Sequence, residues 1–304
     1  MLQLYNRINI HPMYKSTSIV RVAMLLACCL PTATATNRTF AQTGSDKQTG
    51  YAPVNGLKMY YEMSGTGKPL VLLHGSYMSI DLNFGQIIPQ LNKNHKVIAL
   101  ELQGHGRTAD ISRPYSLAAM ADDVAALMKY LKIDSADVLG YSMGGAVALQ
   151  LVISHPELVR KLVLISIPYK SDGWSPETRA IFPTIKPEFF EKTPLKTEYD
   201  RLAPDPKHWA DWVIKLTKFA GEPYDFGKEK LMAIKSPVLL LFGDADGVQP
   251  EHIAEMYRLV GGGLNGDLGK MPRSQLAIFP GSTHVSLMMM HTDWLLAMIP
   301  PFLN

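Results

Sequence analysis

From Tyr51 onward, short apolar runs alternate with longer stretches whose apolar residues recur at helical spacing. The run at 56–62 alternates between two faces and predicts an antiparallel edge strand. Six further runs are continuously apolar, as expected of strands covered on both faces, and they lie at 69–74, 96–100, 137–139, 162–165, 238–242 and 276–279. Residues 117–131, with Ser116 as N-cap, and 143–155 predict helices. This alternation predicts a mostly parallel sheet with helices on both faces.

The alternation of strands and helices is interrupted at residues 169–235. This interval has no strand-like run, whereas aromatic residues and prolines are frequent in it. Because a structureless loop of this length is unusual in a compact domain, we predict a cap of short helices at 169–235. The cap would be inserted between a first core part at 51–168 and a second at 236–304. Most of its aromatic side chains are expected to form the cap's own core.

The N-terminus is typical of an export signal. Basic residues ending at Arg21 precede an apolar run at 22–30, and small residues follow up to Ala41. We therefore predict a signal peptide within residues 1–41 and an exported, periplasmic or secreted protein. The run before Cys28 also partly matches a lipoprotein cleavage site, so a lipid-anchored form is the alternative. We expect contact with a membrane only if the protein is lipidated at Cys28.

Composition narrows the classes of protein. The chain has 304 residues with 47% apolar content, enough for one sizeable core. Four of its 30 basic residues lie in 1–41, where no acid occurs, which leaves 26 basic against 27 acidic residues. No basic stripe remains, so nucleic acid is not expected as a partner. Both cysteines lie in the predicted signal, so we expect no disulfide and no cysteine-based metal site in the mature protein. The sequence shows no convincing cluster of metal ligands and no glycine-rich loop of the dinucleotide type, so we expect no metal or cofactor.

The sequence Gly140-Tyr141-Ser142-Met143-Gly144 lies between a predicted strand and a predicted helix. This is the context that the G-x-S-x-G nucleophile turn requires, because small residues on either side let the chain turn sharply and expose the serine. The start of the helix also favours developing negative charge near the serine. The motif therefore predicts Ser142 as a nucleophile.

On this motif the chain resembles the α/β-hydrolase family. The resemblance implies an α/β-hydrolase fold, with a mostly parallel eight-stranded sheet, helices on both faces and a helical cap. His74-Gly75-Ser76 lies at the end of the predicted strand at 69–74, where the family supplies an oxyanion-hole donor. The resemblance therefore implies backbone N–H donors at Ser76 and Met143. The turn at 103–108 resembles the family's turn after the fourth strand, and His105 in it is given a structural role.

The resemblance also implies an acid and a base in a fixed chain order. After the predicted strand at 238–242, Asp246 stands three residues beyond a glycine and matches the family's acid, while Asp244 is the alternative, with turn capping as its expected role. His284 follows the last predicted strand and matches the base. The order Ser142, Asp246, His284 is the one expected for this fold.

These residues predict a serine hydrolase that forms an acyl-enzyme on Ser142. We expect a carboxylic ester or lactone with apolar portions as the small-molecule substrate, and a monomer or homodimer. Tyr141 and His74 are assigned to substrate binding, and methionines 288–290 are candidates for the pocket wall. The alternatives are hydrolysis of a carbon–carbon bond of the meta-cleavage kind, hydrolysis of an amide, and a ligand-sensing protein with slow turnover.

Overall fold

The protein is described by a computed structural model that covers residues 47–304. One sheet runs through it, with strand order β1-β2-β4-β3-β5-β6-β7-β8. The first two strands are antiparallel to their neighbours and the others are parallel. The strands are β1 (Gln48–Val54), β2 (Leu57–Ser64), β3 (Lys68–Leu73), β4 (His95–Leu100), β5 (Ala136–Tyr141), β6 (Val159–Ile165), β7 (Val238–Gly243) and β8 (Gln275–Phe279). The predicted fold class is confirmed.

The edge of the sheet differs from the prediction. The run at 56–62 is antiparallel, as expected, but it is not an edge strand, because β1 pairs along its outer side. The sequence pattern does not predict β1, because Ala52 and Val54 are its only buried residues and Pro53 interrupts its apolar pattern. Proline is tolerated in an edge strand, where one side of the backbone has no pairing partner. Residues 48–50, which precede the predicted first core part, therefore already belong to the sheet.

Eleven helices occur in the described residues, and short 3₁₀ turns join several of them. They are α1 (Ile80–Phe84), α2 (Ile88–Leu91), α3 (Leu117–Tyr130), α4 (Met143–Ser154), α5 (Pro176–Ile181), α6 (Pro194–Leu202), α7 (Trp209–Gly221), α8 (Lys228–Ala233), α9 (Pro250–Leu259), α10 (His284–Met290) and α11 (Thr292–Leu303). Both helices predicted from apolar spacing are present. Ser116 caps α3, since its side chain accepts the N–H of Ala119 at 3.1 Å.

Alternate residues of the central strands face opposite sides of the sheet. In β3, Val71 and Leu73 belong to a core shared with α3 and α4, whereas Leu70 and Leu72 belong to a second core shared with α1 and α11. Burial on both faces explains why the strand reads as one continuous apolar run. Because the carboxyl ends of the parallel strands meet at one edge, the loops that follow β3, β5, β7 and β8 converge there.

The segment between β6 and β7 contains no strand and is helical in pieces, from α5 to α8. Four of its aromatic rings pack on one another, with centroids 4.6–5.9 Å apart, namely Phe190, Tyr199, Trp209 and Trp212. These rings are buried, but they do not form a core of their own, because they belong to the same hydrophobic cluster as one face of the sheet. The cap thus gains stability from aromatic burial and needs no strand pairing.

The cap is attached to the sheet domain unevenly. In α6, Arg201 donates to Asp81 at 2.8 Å, and Glu198 accepts from Ser79 at 2.8 Å. In α7, Lys215 donates to both carboxylate oxygens of Asp110 at 2.8 Å. The polar side-chain contacts described for α5 and the turn after it stay within residues 172–184. One flank of the cap is therefore fastened by charged groups. On the other flank, the residues leading into α5 are held to the loop after β7 by uncharged hydrogen bonds, such as Ser175 N–H to the Gly247 carbonyl at 2.8 Å.

The predicted signal peptide, its cleavage sites and Cys28 lie outside the described residues. Of the helices from residue 47 onward, none combines the length and apolar character that crossing a bilayer requires.

Candidate active site

Ser142 lies at a sharp turn between β5 and α4. Its backbone has φ 53° and ψ −120°, a left-handed conformation that a residue with a side chain seldom adopts. The flanking glycines make the turn possible. A Cβ on Gly140 would approach Gly145 Cα within 2.7 Å, and one on Gly144 would overlap the carbonyl oxygen of Leu73. Backbone strain of this kind costs about 1–3 kcal/mol and is found where a side chain must be held in one position.

His284 is the first residue of α10, just beyond β8. Thr283 caps this helix in a reciprocal pair with Ser286, which fixes where the helix begins. The Nε2 atom of His284 lies 3.0 Å from Ser142 Oγ, and its Nδ1 atom lies 3.3 Å from Asp246 Oδ1. With the proton on Nδ1, His284 donates to Asp246 and accepts from the serine hydroxyl. This is the arrangement that a general base for the serine requires.

Asp246 lies in the turn after β7 with its side chain fully buried. Burial by itself would raise the pKa of this carboxyl. The neighbouring His284, the Ser166 hydroxyl and the N–H of Val248 outweigh burial and hold the Asp246 pKa below its usual value. The carboxyl is therefore ionised at neutral pH and is able to orient the imidazole.

Asp244, the alternative acid, does not reach His284. It is exposed at the surface, and its Oδ1 accepts the backbone N–H of Ser282 at 3.2 Å. This is the turn-capping role expected for it. The structure thus brings Asp246, and not Asp244, together with the serine and the histidine.

The two predicted oxyanion residues flank Ser142. Met143 is the first residue of α4, where backbone N–H groups have no partner inside the helix. Ser76 follows Gly75, whose Cβ, were it present, would lie 3.4 Å from Ser142 Cβ. Asn83 Oδ1 accepts the Gly75 N–H at 2.8 Å and fixes this loop. Both residues line one cavity with Ser142, while their role as oxyanion donors stays a prediction.

The assignment of His74 to substrate binding is wrong. Its side chain is completely buried and does not line the cavity. Nδ1 pairs with the carbonyl of Gly75 at 2.8 Å, and Nε2 accepts the N–H of Leu102 at 3.1 Å. Burial lowers the pKa of His74 to about 4, so the ring is neutral and both its nitrogens are used by the backbone. Its function is to join the loops that follow β3 and β4.

His105 has the structural role expected for it. The ring is buried beneath Trp212 of the cap, with centroids 5.1 Å apart, and lies 4.9 Å from the ring of His74. Burial lowers the pKa of His105 to about 3. The pair therefore contributes packing and backbone contacts without charge.

A cavity of about 740 Å³ opens above Ser142 between the sheet domain and the cap. Its lining is mainly apolar. The cap and its flanking residues contribute Trp174, Ile181, Phe182, Ile185, Phe219 and Tyr224, and the sheet side contributes Tyr77, Met78, Leu117, Met143 and Ile167. The size suits a small organic molecule, and the lining suits one with extended apolar portions.

Tyr141 lines the cavity, but its hydroxyl is directed to a structural partner. It donates to the carbonyl of His284 at 3.0 Å, and the two rings lie 5.3 Å apart. Tyr141 therefore supports the histidine, and its predicted contact with substrate stays a prediction. The expectation for methionines 288–290 is wrong. None of them lines the cavity, since Met288 is buried in the core, Met289 packs against it and Met290 points to solvent.

Two residues near the triad were not predicted. Trp174 places its ring 5.5 Å from that of His284 in an edge-on contact. Ser166 directly follows β6 and is fully buried with φ 55°, beside Asp246. Neither Ser166 Oγ nor Asp246 Oδ2 makes a direct hydrogen bond among the described residues, so the hydroxyl acts as a nearby dipole. The signal for Ser166 was its place, one residue beyond a parallel strand at the edge where the site forms.

No cluster of three or more potential metal-binding side chains occurs within residues 47–304.

Comparisons with known proteins agree with this geometry. Residues 68–210 match the family model of the alpha/beta hydrolase fold. The 2-hydroxymuconate semialdehyde hydrolase of Pseudomonas sp. (strain CF600) is 37% identical over 115 residues, which are 36% of this chain and 40% of that protein.

Two solved structures resemble the whole described chain. A bacterial membrane phospholipase A has a TM-score of 0.67 with 23% identity, over 84% of this chain and 86% of its own. The 2-hydroxy-6-oxo-6-phenylhexa-2,4-dienoate hydrolase of Rhodococcus sp. strain RHA1 has a TM-score of 0.67 with 20% identity, over 84% of this chain and 99% of its own. At these identities the likeness concerns the fold.

A serine turn at the carboxyl edge of a mainly parallel sheet, under a helical cap, defines a protein of the α/β-hydrolase type. Residues 68–210 match the α/β-hydrolase family model, and the likeness to solved structures shows the same fold over the described chain. The chain spans about 40% of the length of the curated relative named above.

Proposed function

We propose that this protein is a serine hydrolase that cleaves carboxylic esters or lactones through an acyl-enzyme. The observation that carries the proposal is the continuous series Ser142–His284–Asp246, joined at 3.0 Å and 3.3 Å, which ends in an apolar cavity. A nucleophile, a base and an acid that orients the base, arranged in this way, are what acyl transfer to a hydroxyl requires.

In the first half of the reaction, Ser142 Oγ attacks the acyl carbon while His284 Nε2 takes the hydroxyl proton. Ionised Asp246 stabilises the imidazolium. The oxyanion accepts hydrogen bonds from the backbone N–H groups of Ser76 and Met143. Collapse of this intermediate breaks the bond to the alcohol oxygen, which leaves with the proton from His284.

In the second half, His284 removes a proton from water, and the resulting hydroxide attacks the acyl-enzyme. The acid is released, and Ser142 regains its proton. In a lactone both products are parts of one molecule, so a single hydroxy acid leaves. The apolar walls of the cavity favour substrates whose acyl or alcohol portion is apolar.

The test is hydrolysis of p-nitrophenyl butyrate together with labelling by a fluorophosphonate. The wild-type protein is expected to hydrolyse the ester and to gain one covalent adduct on Ser142, located by peptide mass spectrometry. Ser142→Ala should lose both, with activity falling on the order of 10³-fold or more and the melting temperature nearly unchanged. Retained activity in this variant would refute the mechanism.

Hydrolysis of a carbon–carbon bond is the second candidate, because two of the similar proteins carry names of that kind. It needs the same serine and base, with an activated ketone as the acceptor. Turnover of a vinylogous diketone carboxylate faster than of p-nitrophenyl butyrate would favour it. Amide hydrolysis is checked with the matched p-nitroanilide. A sensing role predicts a single turnover and a large thermal shift on ligand binding.

For location, we propose export by the predicted N-terminal signal. The basic flank, the apolar run at 22–30 and the small residues that end at Ala41 support this. Mass spectrometry of the mature N-terminus separates cleavage after Ala35, cleavage after Ala41 and lipidation at Cys28.

A further inference from the structure

The charge of the cavity lining is uneven. Three carboxylates line the cavity on its cap side, Glu177 in the first turn of α5, and Glu222 and Asp225 beyond α7. Of the residues that the structure describes, no lysine or arginine contributes to the same lining, and His284 is its one basic side chain. Because His284 is held between Ser142 and Asp246, the cavity offers a bound anion no cationic partner.

The three carboxylates are exposed and form no close ion pair. None of the ion pairs found in residues 47–304 includes Glu177, Glu222 or Asp225. Bonds from its own backbone N–H and from Ser175 lower the pKa of Glu177, so it is ionised at neutral pH.

The nearby cations have other partners. Lys228 pairs with Glu255 at 2.5 Å, and Lys170 lies over the ring of Tyr169 at 5.6 Å. Arg179, two residues beyond Glu177, pairs with Asp172 at 2.7 Å. Lys228 also acts on Asp225, and Lys170 is its partner in a backbone bridge, so the excess negative charge of the lining rests chiefly on Glu177 and Glu222.

An apolar wall strengthens the effect of these charges. A carboxylate that enters such a cavity loses its water shell, which is costly unless a cation or several donors replace the water. Here it would also meet like charges, which raise its energy further. A neutral group carries neither penalty, and a cationic group would gain attraction from the carboxylates.

We infer that this cavity selects by charge, accepting esters or lactones whose remote portion is neutral or cationic and rejecting those that carry a carboxylate. The inference rests on the proposed ester hydrolysis and narrows its substrate class. The inference also distinguishes this cavity from one that binds a dienoate. The name of the Rhodococcus hydrolase contains such a carboxylate.

The experiment uses three p-nitrophenyl esters with acyl chains of equal length that end in a carboxylate, a methyl ester or a trimethylammonium group. At 20 mM NaCl we expect kcat/KM for the carboxylate to be at least about 10-fold below that of the neutral ester, and the cationic ester to equal or exceed the neutral one. At 500 mM NaCl the anionic penalty should shrink severalfold. A carboxylate turned over within 2-fold of the neutral ester would overturn the inference.

Variants separate charge from shape. The triple variant Glu177→Gln, Glu222→Gln, Asp225→Asn should reduce the anionic penalty at least 3-fold, measured as the ratio of the two kcat/KM values within one protein. The matched control, Glu188→Gln with Glu191→Gln, changes two exposed cap acids that do not line the cavity and should leave this ratio unchanged. An unchanged ratio in the triple variant means that shape excludes the carboxylate, and the charge inference fails.

The outcome also distinguishes the two proposals. If the neutral ester is not hydrolysed, or Ser142→Ala hydrolyses it equally well, the proposed function fails. If the neutral ester is hydrolysed through Ser142 and the anionic ester equally fast, only the charge inference fails.

Discussion

The sheet domain and the cap enclose the same cavity but contribute different things to it. The sheet edge supplies the triad, Ser142, Asp246 and His284, each placed within a few residues of the end of a strand. The cap supplies most of the apolar wall and all of the lining carboxylates. The triad depends on backbone turns fixed by the sheet, whereas the wall depends on side chains carried by short helices. Under the proposed function, chemistry and selectivity are encoded in separate parts of the chain.

The largest expected effect on activity comes from a substitution in the sheet domain. Asp246→Asn should lower kcat about 10⁴-fold, because an amide favours the wrong tautomer of His284 and does not stabilise its charged form. Asp244→Asn should change kcat less than about 3-fold, because that carboxylate only caps a turn. The measurement is steady-state hydrolysis of a neutral ester. A greater loss from Asp244→Asn would mean that the acid has been misassigned.

A substitution where the two regions meet should mainly affect stability. Trp212 is 1% exposed and contacts Tyr199 and Trp209 in the cap and His105 in the sheet domain. Trp212→Ala should lower the free energy of unfolding by about 3–5 kcal/mol. Ile214→Ala, on the same helix but 58% exposed, should change it by less than about 0.5 kcal/mol. Urea denaturation measures both, and equal losses would contradict the packing described.

The buried histidines of the sheet domain predict a loss of stability in acid. The pKa values of His74 and His105 are lowered from 6.5 to about 4 and about 3, so the unfolded chain binds protons that the native protein excludes. As the pH falls from 6.5 to 4, each should cost about 1.4 kcal/mol of unfolding free energy per pH unit. Buried Glu101 opposes this between pH 7 and 4.5, since its pKa is raised to about 7.

Denaturation at pH 7.5, 5.5 and 4.5 measures the net slope. His105→Gln should make the slope shallower, although it also lowers stability at neutral pH. A slope in the variant as steep as in the wild type would show that His105 does not take part.

The smallest effect concerns the residue that supports the base. Tyr141→Phe removes the hydroxyl that donates to the His284 carbonyl, and we expect kcat to fall about 3-fold with little change in KM, since one such bond contributes about 1 kcal/mol. Tyr60→Phe is the control, because its hydroxyl donates to Glu62, away from the site. A rise in KM without a change in kcat would instead assign Tyr141 to substrate binding.

How well the sequence predicts this molecule depends on what each residue interacts with. The central strands were recognisable because burial on both faces makes them continuously apolar, and the triad because its residues occur at fixed offsets from those strands. β1 was missed, since an edge strand with Pro53 has only two buried side chains. His74 is wrongly assigned because both nitrogens of its ring bond to the backbone of two different loops. The sequence alone does not indicate these hydrogen bonds.

The structure of the cap is even less predictable from the sequence. Its helices are short, and their order along the chain does not fix which rings meet. That most cap aromatics would pack on one another followed from composition, but the contact of Trp174 with His284 depends on how the segment folds back over the sheet. The same holds for the carboxylates at 177, 222 and 225, which lie far apart in the chain and share a wall only in the folded protein.

The uneven fastening of the cap has a consequence for motion. Charged contacts hold α6 and α7 to the sheet domain, while the polar side-chain contacts described for α5 stay within the cap. Opening on the α5 flank would break apolar contacts and a few uncharged hydrogen bonds, such as Ser175 N–H to the Gly247 carbonyl, without separating an ion pair. We therefore expect amide protons of α5 to exchange with solvent faster than those of α7, and a bulky ligand to enter and leave past Phe182. In this view the salt bridges at α6 and α7 act as a hinge. Opening on the α5 flank then determines how large a substrate the cavity admits.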